Sequence, residues 1–367
     1  MDPDYVGILL NALPQGSFQS GRVSQESLSV YEEAAALYGL KPCYLQLKDI
    51  SSTGKKSLVY VMNETGVSRI QIPTPKVIHN RAIYKSRAAA RKIAALQSRG
   101  IVIFNTNTRY RKDRIHSLLA RHPVLSRHQP HTLPATPANI RSMMRLYADL
   151  LLKPVSSSVG LGIMRLYRGP SGWVLTRRSP KTRTAGRKWV TIPLGSPKGF
   201  LPGWLIQRLR RTPYMIQERL SLAEIDGRPI DLRVTVQRGL DGKWGVTGMF
   251  AKMSEPGGFL TNIAQGGSAY PAEYLLHAAL PPGMAERLTV ECRALALEVA
   301  RHLSSRLSLL ADLGIDIGVT SFGEVYFIEC NGRDQRYGFR EAGMISTWIE
   351  TYRKPMAFAK YLLTKQV

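Results

Sequence analysis

Three residues near the C-terminus have the types and the spacing that suit a divalent metal. Two short apolar strands surround a tight turn. With Phe322 and Gly323 as its two central residues, antiparallel pairing places Asp316 opposite Glu329. Asn331 then lies on the same face, because side chains alternate along a strand and a register shift of two residues preserves that face. Two carboxylates and an amide oxygen suit Mg²⁺ or Mn²⁺, and substrate phosphates usually complete such a magnesium site.

Carboxylates that face each other across two strands repel, so this hairpin requires a positive charge. A metal ion is one source of that charge. The other is an ion pair with Arg or Lys, of which the chain has 51, and structural ion-pair networks also gather acidic residues. The spacing favours the metal and leaves the ion pair open as the alternative.

A second segment has the composition of a phosphate-binding loop. Two apolar strands flank the Ser- and Gly-containing loop 155–162, whose backbone amides can approach a polyphosphate without obstruction by side chains. Lys153 ends the first strand, from where it can reach a phosphate. The loop is not a Walker A motif, because no Gly-Lys-Ser/Thr opens a helix. An ordinary hairpin turn is the alternative interpretation.

The composition of the chain limits its partners. The 367 residues carry a net charge of +25, with a sequence pI of about 10.2, so anionic partners are expected: a nucleotide, a nucleic acid, an acidic polymer or a membrane surface. No apolar run reaches transmembrane length and the first residues lack a basic signal-peptide region, so we expect a cytoplasmic protein without membrane insertion. Cys43, Cys292 and Cys330 are too far apart for a disulfide framework and predict buried, reduced thiols.

Strand and helix patterns alternate over the first hundred residues, which predicts an open α/β unit. Helices are expected over residues 24–38 and 82–98, and a long amphipathic helix over 282–310 leads into the metal hairpin. A helix pair over 343–363 is expected to cover the core.

The segment between the two site motifs is strongly basic. It contains no Asp or Glu from residue 150 through residue 217, whereas Arg and Lys recur, and this indicates an anion-binding surface. The alternative is a mobile, solvated insertion, which we favour for residues 179–186. Arg208, Arg210 and Arg211 end the segment as a basic cluster.

In this order, the motifs resemble the ATP-grasp superfamily: a lysine before a Ser/Gly hairpin loop, the strand 217–220, an antiparallel sheet that starts with Asp231 to Arg233, and acidic residues with Asn331 on the last hairpin. The layout of the whole chain is most similar to the YheC/YheD group, which is associated with bacterial spore coats. The resemblance implies an N-terminal α/β domain (1–105), a small ATP-grasp subdomain with the phosphate loop (106–217) and a C-terminal subdomain with the metal hairpin (218–367).

The resemblance also implies a role for each site residue. Asp316, Glu329 and Asn331 would bind two Mg²⁺ ions, and Arg233, Lys252 and Asn262 would line the transfer site. Strand 217–220 would hold the adenine of ATP and Glu224 the ribose. The full set of residues expected to bind ATP is Lys112, Lys153, Ser156, Ser157, Ser158, Val159, Gly160, Gly162, Gln217, Glu218, Arg219, Leu220 and Glu224.

The activity implied by the resemblance is ATP-dependent ligation of a carboxylate to an amine through an acyl phosphate. The loop Gly332 to Arg336 departs from the usual Ser/Pro/Gly loop, and the basic cluster at Arg208 is not general in the family. Both features favour an anionic substrate such as an acidic peptide or a wall or coat polymer, with an association to the spore coat. Two alternatives are a kinase that uses the same site and a coat-associated protein that binds ATP without turnover. Binding to nucleic acid is disfavoured, because the tyrosines are not grouped for base stacking.

Overall fold

A computed structural model describes residues 4–13, 22–23, 26–64, 66–157, 160–179, 189–194 and 201–365. The described chain forms three large sheets, each with helices packed against it. The expected α/β class is confirmed. None of the helices in these ranges is long and apolar enough to cross a membrane.

The first sheet lies in the N-terminal part of the chain and has the strand order β6-β5-β4-β1-β7-β8. Strands β4, β1, β7 and β8 are parallel, and β5 and β6 form an antiparallel hairpin at the other edge. The strands are β1 (Asp4–Leu9), β4 (Leu40–Leu45), β5 (Lys56–Asn63), β6 (Gly66–Pro73), β7 (Val77–Asn80) and β8 (Val102–Phe104), with β2 (Arg22–Val23) and β3 (Glu26–Ser27) as a separate pair; the helices are α1 (Leu28–Ala36) and α2 (Arg87–Gln97).

The second sheet carries the candidate phosphate loop and is antiparallel throughout, in the order β13-β12-β11-β10-β14-β9. Two of its helices bury apolar side chains against the sheet in one core, which includes Ile140 and Leu205. The elements are α3 (Lys112–Leu119), β9 (Thr132–Pro134), α4 (Pro137–Leu146), β10 (Asp149–Pro154), β11 (Met164–Gly169), β12 (Gly172–Arg178), β13 (Trp189–Pro193), α5 (Gly203–Arg211) and β14 (Tyr214–Glu218). The prediction for residues 179–186 falls almost entirely outside the described residues.

The third sheet is antiparallel and has the order β18-β17-β16-β19-β20, with β15 paired to β16. Alternation gives it two different faces. Apolar residues such as Leu232 and Ile315 pack in one core with Leu288 and Leu295 of a long helix, and the opposite face is polar. The elements are β15 (Glu224–Ile225), β16 (Arg228–Arg238), β17 (Trp244–Met253), β18 (Ser268–Pro271), α6 (Ala272–Ala279), α7 (Met284–Ser304), β19 (Asp312–Val319), β20 (Val325–Asn331), α8 (Tyr337–Glu341) and α9 (Ile345–Lys365).

The C-terminal segment differs from the expected helix pair. Residues 345–365 form the single helix α9, and Pro355 lies inside it and is buried. Tyr352, Met356 and Phe358 pack in the same core as Val6 and Tyr31 of the N-terminal part. Tertiary packing thus maintains one helix across Pro355, although a proline inside a helix usually kinks or ends it.

Candidate active site

The last hairpin brings the three expected metal ligands together. Asp316 of β19 is the cross-strand partner of Glu329 of β20, and Asn331 pairs with Gly314 two positions away. The prediction of a two-residue turn is wrong. The amide of Thr320 donates to the Glu324 carbonyl and the amide of Gly323 donates to the Thr320 carbonyl, so the loop has three residues, 321–323. A β-bulge next to Asp316 compensates for the extra loop residue and restores the expected pairing.

Asp316 is buried and surrounded by positive charge. Arg233 donates to both of its carboxylate oxygens, at 2.7 and 3.1 Å, and Lys252 Nζ lies 2.8 Å from Oδ1. Burial alone would raise the pKa of Asp316, but the charges of Arg233 and Lys252 outweigh it and hold the pKa well below its usual range. Asp316 is therefore ionised at neutral pH, as a metal ligand has to be.

Glu329 forms an ion pair with Lys112, whose Nζ lies 2.5 Å from Oε2. The amide nitrogen of Asn331 is 3.4 Å from Asp316 Oδ2, so all three expected ligands are close to one another. The ion-pair alternative thus describes the contacts of both carboxylates. The same oxygens also fit a hard cation, which would have to displace Lys112 from Glu329. No group of three His, Cys, Asp or Glu side chains arranged to hold a metal occurs within the described ranges.

Lys153 lies at the end of β10, as expected, and is buried next to the loop. Its ammonium donates to the side-chain oxygen of Gln217 on the neighbouring strand β14. Burial, reinforced by the nearby charge of Lys112, lowers the pKa of Lys153 to about 8. A buried ammonium whose hydrogen-bond partner is a neutral side chain is a suitable contact for a phosphate oxygen.

The loop after β10 has the backbone of a tight cradle. Gly160 and Gly162 have φ values of 69° and 78°, a region that favours glycine. A Cβ atom at Gly160 would lie 2.6 Å from the side-chain nitrogen of Gln265, so the loop also approaches the opposite segment closely. Ser158 and Val159 lie outside the described residues.

A cleft lies between the second and third sheets and is lined by residues of both. Its lining includes most of the expected ATP-binding residues: Lys112, Lys153, Ser157, Gly160, Gln217, Glu218, Arg219 and Leu220. Asp316, Glu329, Lys252 and Asn262 also line it. The structure thus brings together residues that lie more than 200 positions apart in the sequence.

Three of the expected ATP-binding residues that the structure describes do not line this cleft. Glu224 is exposed on the two-residue strand β15, and its expected contact with ribose stays a prediction. Ser156 is exposed and its carbonyl accepts from Arg109. Gly162 packs near the ring of Pro154, where a Cβ atom would lie 3.0 Å away, and its positive φ shapes the turn.

Two titratable residues in the lining of the cleft were missing from the expected set. Asp231 is buried and lies 3.1 Å from Lys252 Nζ, and burial raises its pKa. The alternation of side chains along β16 already placed Asp231 on the same face as Arg233, so the sequence could have indicated that Asp231 belongs to the site. His116 of α3 is also buried in the lining, and burial lowers its pKa to about 4. A lone histidine in a basic helix gave no comparable signal.

A second cleft adjoins the first. The two clefts share Ser157, Asn262, Asp316 and Glu329. The second cleft also contains the remaining expected residues, Arg233 and Asn331, together with residues from the N-terminal part of the chain. The expected metal ligands therefore lie where the two clefts meet.

Residues 100–362 match the family model described as YheC/D like ATP-grasp. This chain belongs to the YheC/D-like ATP-grasp family. The match spans the phosphate loop, both clefts and the metal hairpin, and it confirms the resemblance seen in the motifs.

Two curated proteins of Bacillus subtilis (strain 168) are similar to this YheC/D-like chain. The endospore coat-associated protein YheD is 24% identical over 312 residues, which cover 83% of this chain and 66% of YheD. The endospore coat-associated protein YheC is 20% identical over 249 residues, which cover 68% of this chain and 66% of YheC. Each alignment thus spans just under two thirds of the relative's length.

Solved ATP-grasp structures share the fold of this YheC/D-like protein. The ATP-grasp ligase PsnB, complexed with a minimal precursor, superposes with a TM-score of 0.52 at 14% identity, covering 96% of this chain and 100% of PsnB. The D-cycloserine synthetase DcsG gives a TM-score of 0.52 at 12% identity, covering 96% of this chain and 99% of DcsG. The fold is therefore that of ATP-grasp ligases.

Proposed function

We propose that this protein is an ATP-dependent carboxylate–amine ligase that forms an acyl phosphate. The observation that carries the proposal is the junction of the two clefts, which both contain Asp316 and Glu329. A nucleotide in the first cleft would have its phosphates near Lys153 and the phosphate loop. A carboxylate in the second cleft would then meet the terminal phosphate at this junction.

In the first step, a carboxylate oxygen of the substrate attacks the γ-phosphorus of ATP, the bond to the ADP oxygen breaks, and ADP leaves. An amine nitrogen then attacks the carbonyl carbon of the acyl phosphate. The bond from this carbon to the phosphate oxygen breaks, inorganic phosphate leaves, and the nitrogen loses a proton. Positive charge at the junction from Arg233, Lys252 and Lys153 would stabilise the negative charge that develops on the phosphoryl oxygens.

Magnesium fits the donor set at the junction. Asp316, Glu329 and Asn331 would hold it, and when bound it neutralises charge on the β- and γ-phosphates. Asp316 is kept ionised by Arg233 and Lys252, whereas Glu329 has to exchange its ion pair with Lys112 for the metal. This exchange would couple magnesium binding to a movement of the Lys112 side chain.

The direct test is calorimetric binding of ATP with and without Mg²⁺, followed by an assay for ADP release with pooled cell metabolites. We expect magnesium-dependent ATP binding that Glu329→Ala abolishes. The matched control is Glu286→Ala, which removes an exposed carboxylate on α7. Absence of ATP binding by the wild type would overturn the proposal. A stable phosphorylated product in place of an amide would identify a kinase, and ATP binding without ADP release would favour a nonenzymatic role.

The substrate we propose is an acidic peptide or a component of the coat or wall. Two features support it: the basic segment with its cluster at Arg208, Arg210 and Arg211 on α5, and the names of the two curated relatives, which are endospore coat-associated proteins. Conversion of the three arginines to Ala should weaken binding of an acidic peptide such as oligoglutamate without changing ATP affinity. Unchanged affinity for oligoglutamate would remove this basis.

A further inference from the structure

The second cleft contains more positive charge than its own carboxylates can neutralise. Three arginines line it: Arg109, Arg233 and Arg333. Arg233 is fully engaged, because it binds both oxygens of Asp316 and donates to Asp334 at 2.8 Å. The other two arginines are less engaged: Arg109 donates to the Ser156 carbonyl at 3.1 Å, and Arg333 has a carboxylate at 4.0 Å. Both keep donors that a ligand can use.

Arg333 is the less satisfied of the two. Its nearest carboxylate is Glu26, at 4.0 Å, which is beyond hydrogen-bond distance. Glu26 already accepts from Arg81 at 2.9 Å and lies 3.6 Å from Arg336. Within the described part of the chain, the Arg333 guanidinium makes no hydrogen bond, although only 17% of its side chain is exposed.

The Arg333 guanidinium is mostly shielded from bulk water and lies in the lining of the second cleft, where its hydrogen-bond donors can meet a ligand. Glu26 is within ion-pair distance of it, but Arg81 and Arg336 share the same carboxylate. Arg333 therefore has spare capacity to bind an anion, two residues after the expected metal ligand Asn331.

The loop that carries Arg333 is held firmly against the segment that carries Arg109. A Cβ atom at Gly332 would lie 3.0 Å from the Asn107 carbonyl, so only glycine permits this close approach. Asn105 donates to the Gly332 carbonyl at 2.8 Å. The two arginines are therefore placed on the wall of one cleft by fixed backbone, which reduces the entropy lost when a ligand binds.

We propose that Arg333 and Arg109 form an anion-binding subsite for a second carboxylate of the substrate. This proposal rests on the ligase function: one carboxylate is activated at the junction of the clefts, and the arginines hold the other. The planar fork of a guanidinium matches a carboxylate and can bind it through two parallel hydrogen bonds. The acid is therefore dicarboxylic, and its source is either a small free diacid or adjacent acidic side chains of a peptide.

The test compares acids that differ only in the second carboxylate. Glutarate and pentanoate represent free acids, and the capped dipeptides acetyl-Glu-Glu-amide and acetyl-Glu-Gln-amide represent peptides. Their affinities are measured by calorimetry with and without Mg²⁺ and ADP. The variants are Arg333→Gln, Arg333→Lys and Arg109→Gln. Arg293→Gln, which removes an exposed arginine of α7, is the matched control.

We expect the wild type to bind the two-carboxylate member of at least one pair about tenfold or more tightly. Arg333→Gln should abolish this preference, Arg333→Lys should retain part of it, and Arg293→Gln should leave it unchanged. The pair that shows the preference identifies the source of the acid. Arg333→Lys keeps the charge, so it provides the test if Arg333→Gln does not fold.

Two results would overturn the subsite. One is a wild type that shows no preference in either pair. The other is an Arg333→Gln variant whose ATP affinity falls as much as its diacid affinity, because the guanidinium would then serve the nucleotide. Either result is separate from failure of the ligase proposal, which would appear as absence of magnesium-dependent ATP binding in the wild type.

Discussion

Asp316 lies opposite Glu329 because β20 has a β-bulge, in which one extra residue has no partner on β19. Near the turn, Val319 pairs with Val325 and Ile317 with Phe327, whereas the next pair is Asp316 with Glu329. Without the bulge, the three-residue loop would place residue 328 opposite Asp316 and would turn Glu329 to the apolar face. A single inserted residue therefore decides whether the carboxylates share a site.

The two carboxylates should respond differently to neutralisation. Asp316→Asn removes the common partner of the buried Arg233 and Lys252, and we expect it to cost about 3–5 kcal/mol of unfolding free energy. Glu329→Gln breaks only the partly exposed pair with Lys112, so its cost should stay below about 1 kcal/mol. Urea unfolding of both variants measures the difference. Equal destabilisation would contradict this account of the site.

ATP binding should depend on pH through Lys153. The ammonium is present below its pKa of about 8 and is lost as the pH rises above it, so the affinity for ATP should fall by up to about tenfold per pH unit above 8. Calorimetry across this range measures the slope. Lys153→Arg keeps its charge throughout and should show a flat profile, and Lys153→Met should bind weakly at every pH. A flat wild-type profile would exclude Lys153 as the phosphate contact.

The phosphate loop should not tolerate a side chain at Gly160. Its φ of 69° and the Cβ contact of 2.6 Å with Gln265 predict that Gly160→Ala distorts the loop and lowers ATP affinity. Gly39→Ala is the control, because Gly39 has a φ of 66° in open space and lies in the N-terminal part of the chain. Each variant should lose about 1–2 kcal/mol of stability from strain alone. Comparable ATP affinity in the two variants would show that the loop does not hold the nucleotide.

The local pattern of the site could be predicted from the sequence, whereas its long-range contacts could not. The alternation of side chains placed Asp316 and Glu329 on one face. That prediction assumed a two-residue turn, and the pairing is correct only because the β-bulge offsets the longer loop. The glycines of the phosphate loop and the strand end at Lys153 were local signals as well. The position of Glu224 outside the cleft lining was not predictable, because the direction of a two-residue strand depends on the sheet it joins.

Long-range ion pairs were beyond prediction from one sequence. Arg81 and Asp312 lie 231 positions apart in the sequence, and in the folded protein Arg81 donates a hydrogen bond of 3.0 Å to the Asp312 carboxylate. Any of the many arginines could have paired with Asp312 on composition alone. Likewise, the sequence showed the α5 cluster only as charge, whereas Leu205 of the same helix is buried in the core of the second sheet.

These buried pairs connect the N-terminal part of the chain to the transfer site. Arg81 binds Glu26 and Asp312, and it donates to the backbone carbonyl of Asp334 at 2.6 Å. The Asp334 carboxylate in turn holds Arg233. The contacts form a continuous route from β7 to the junction of the two clefts, so loss of Arg81 should affect both stability and the site.

Arg81→Met should therefore lower the unfolding free energy by about 3–5 kcal/mol, because it leaves two buried carboxylates short of positive charge. The control is Arg69→Met, because the Arg69 side chain is 51% exposed; this substitution should cost less than about 1 kcal/mol.

The same ion pairs predict a dependence of stability on pH. Burial opposes ionisation of Asp312, but the charges of Arg336 and Arg81 hold its pKa below the usual range. Its stabilisation is thus complete above a pH of about 4 and is lost as the pH falls further. Urea unfolding between pH 3 and 7 should show that the unfolding free energy of Arg81→Met falls less on acidification than that of the wild type. Parallel curves of unfolding free energy against pH would contradict this role.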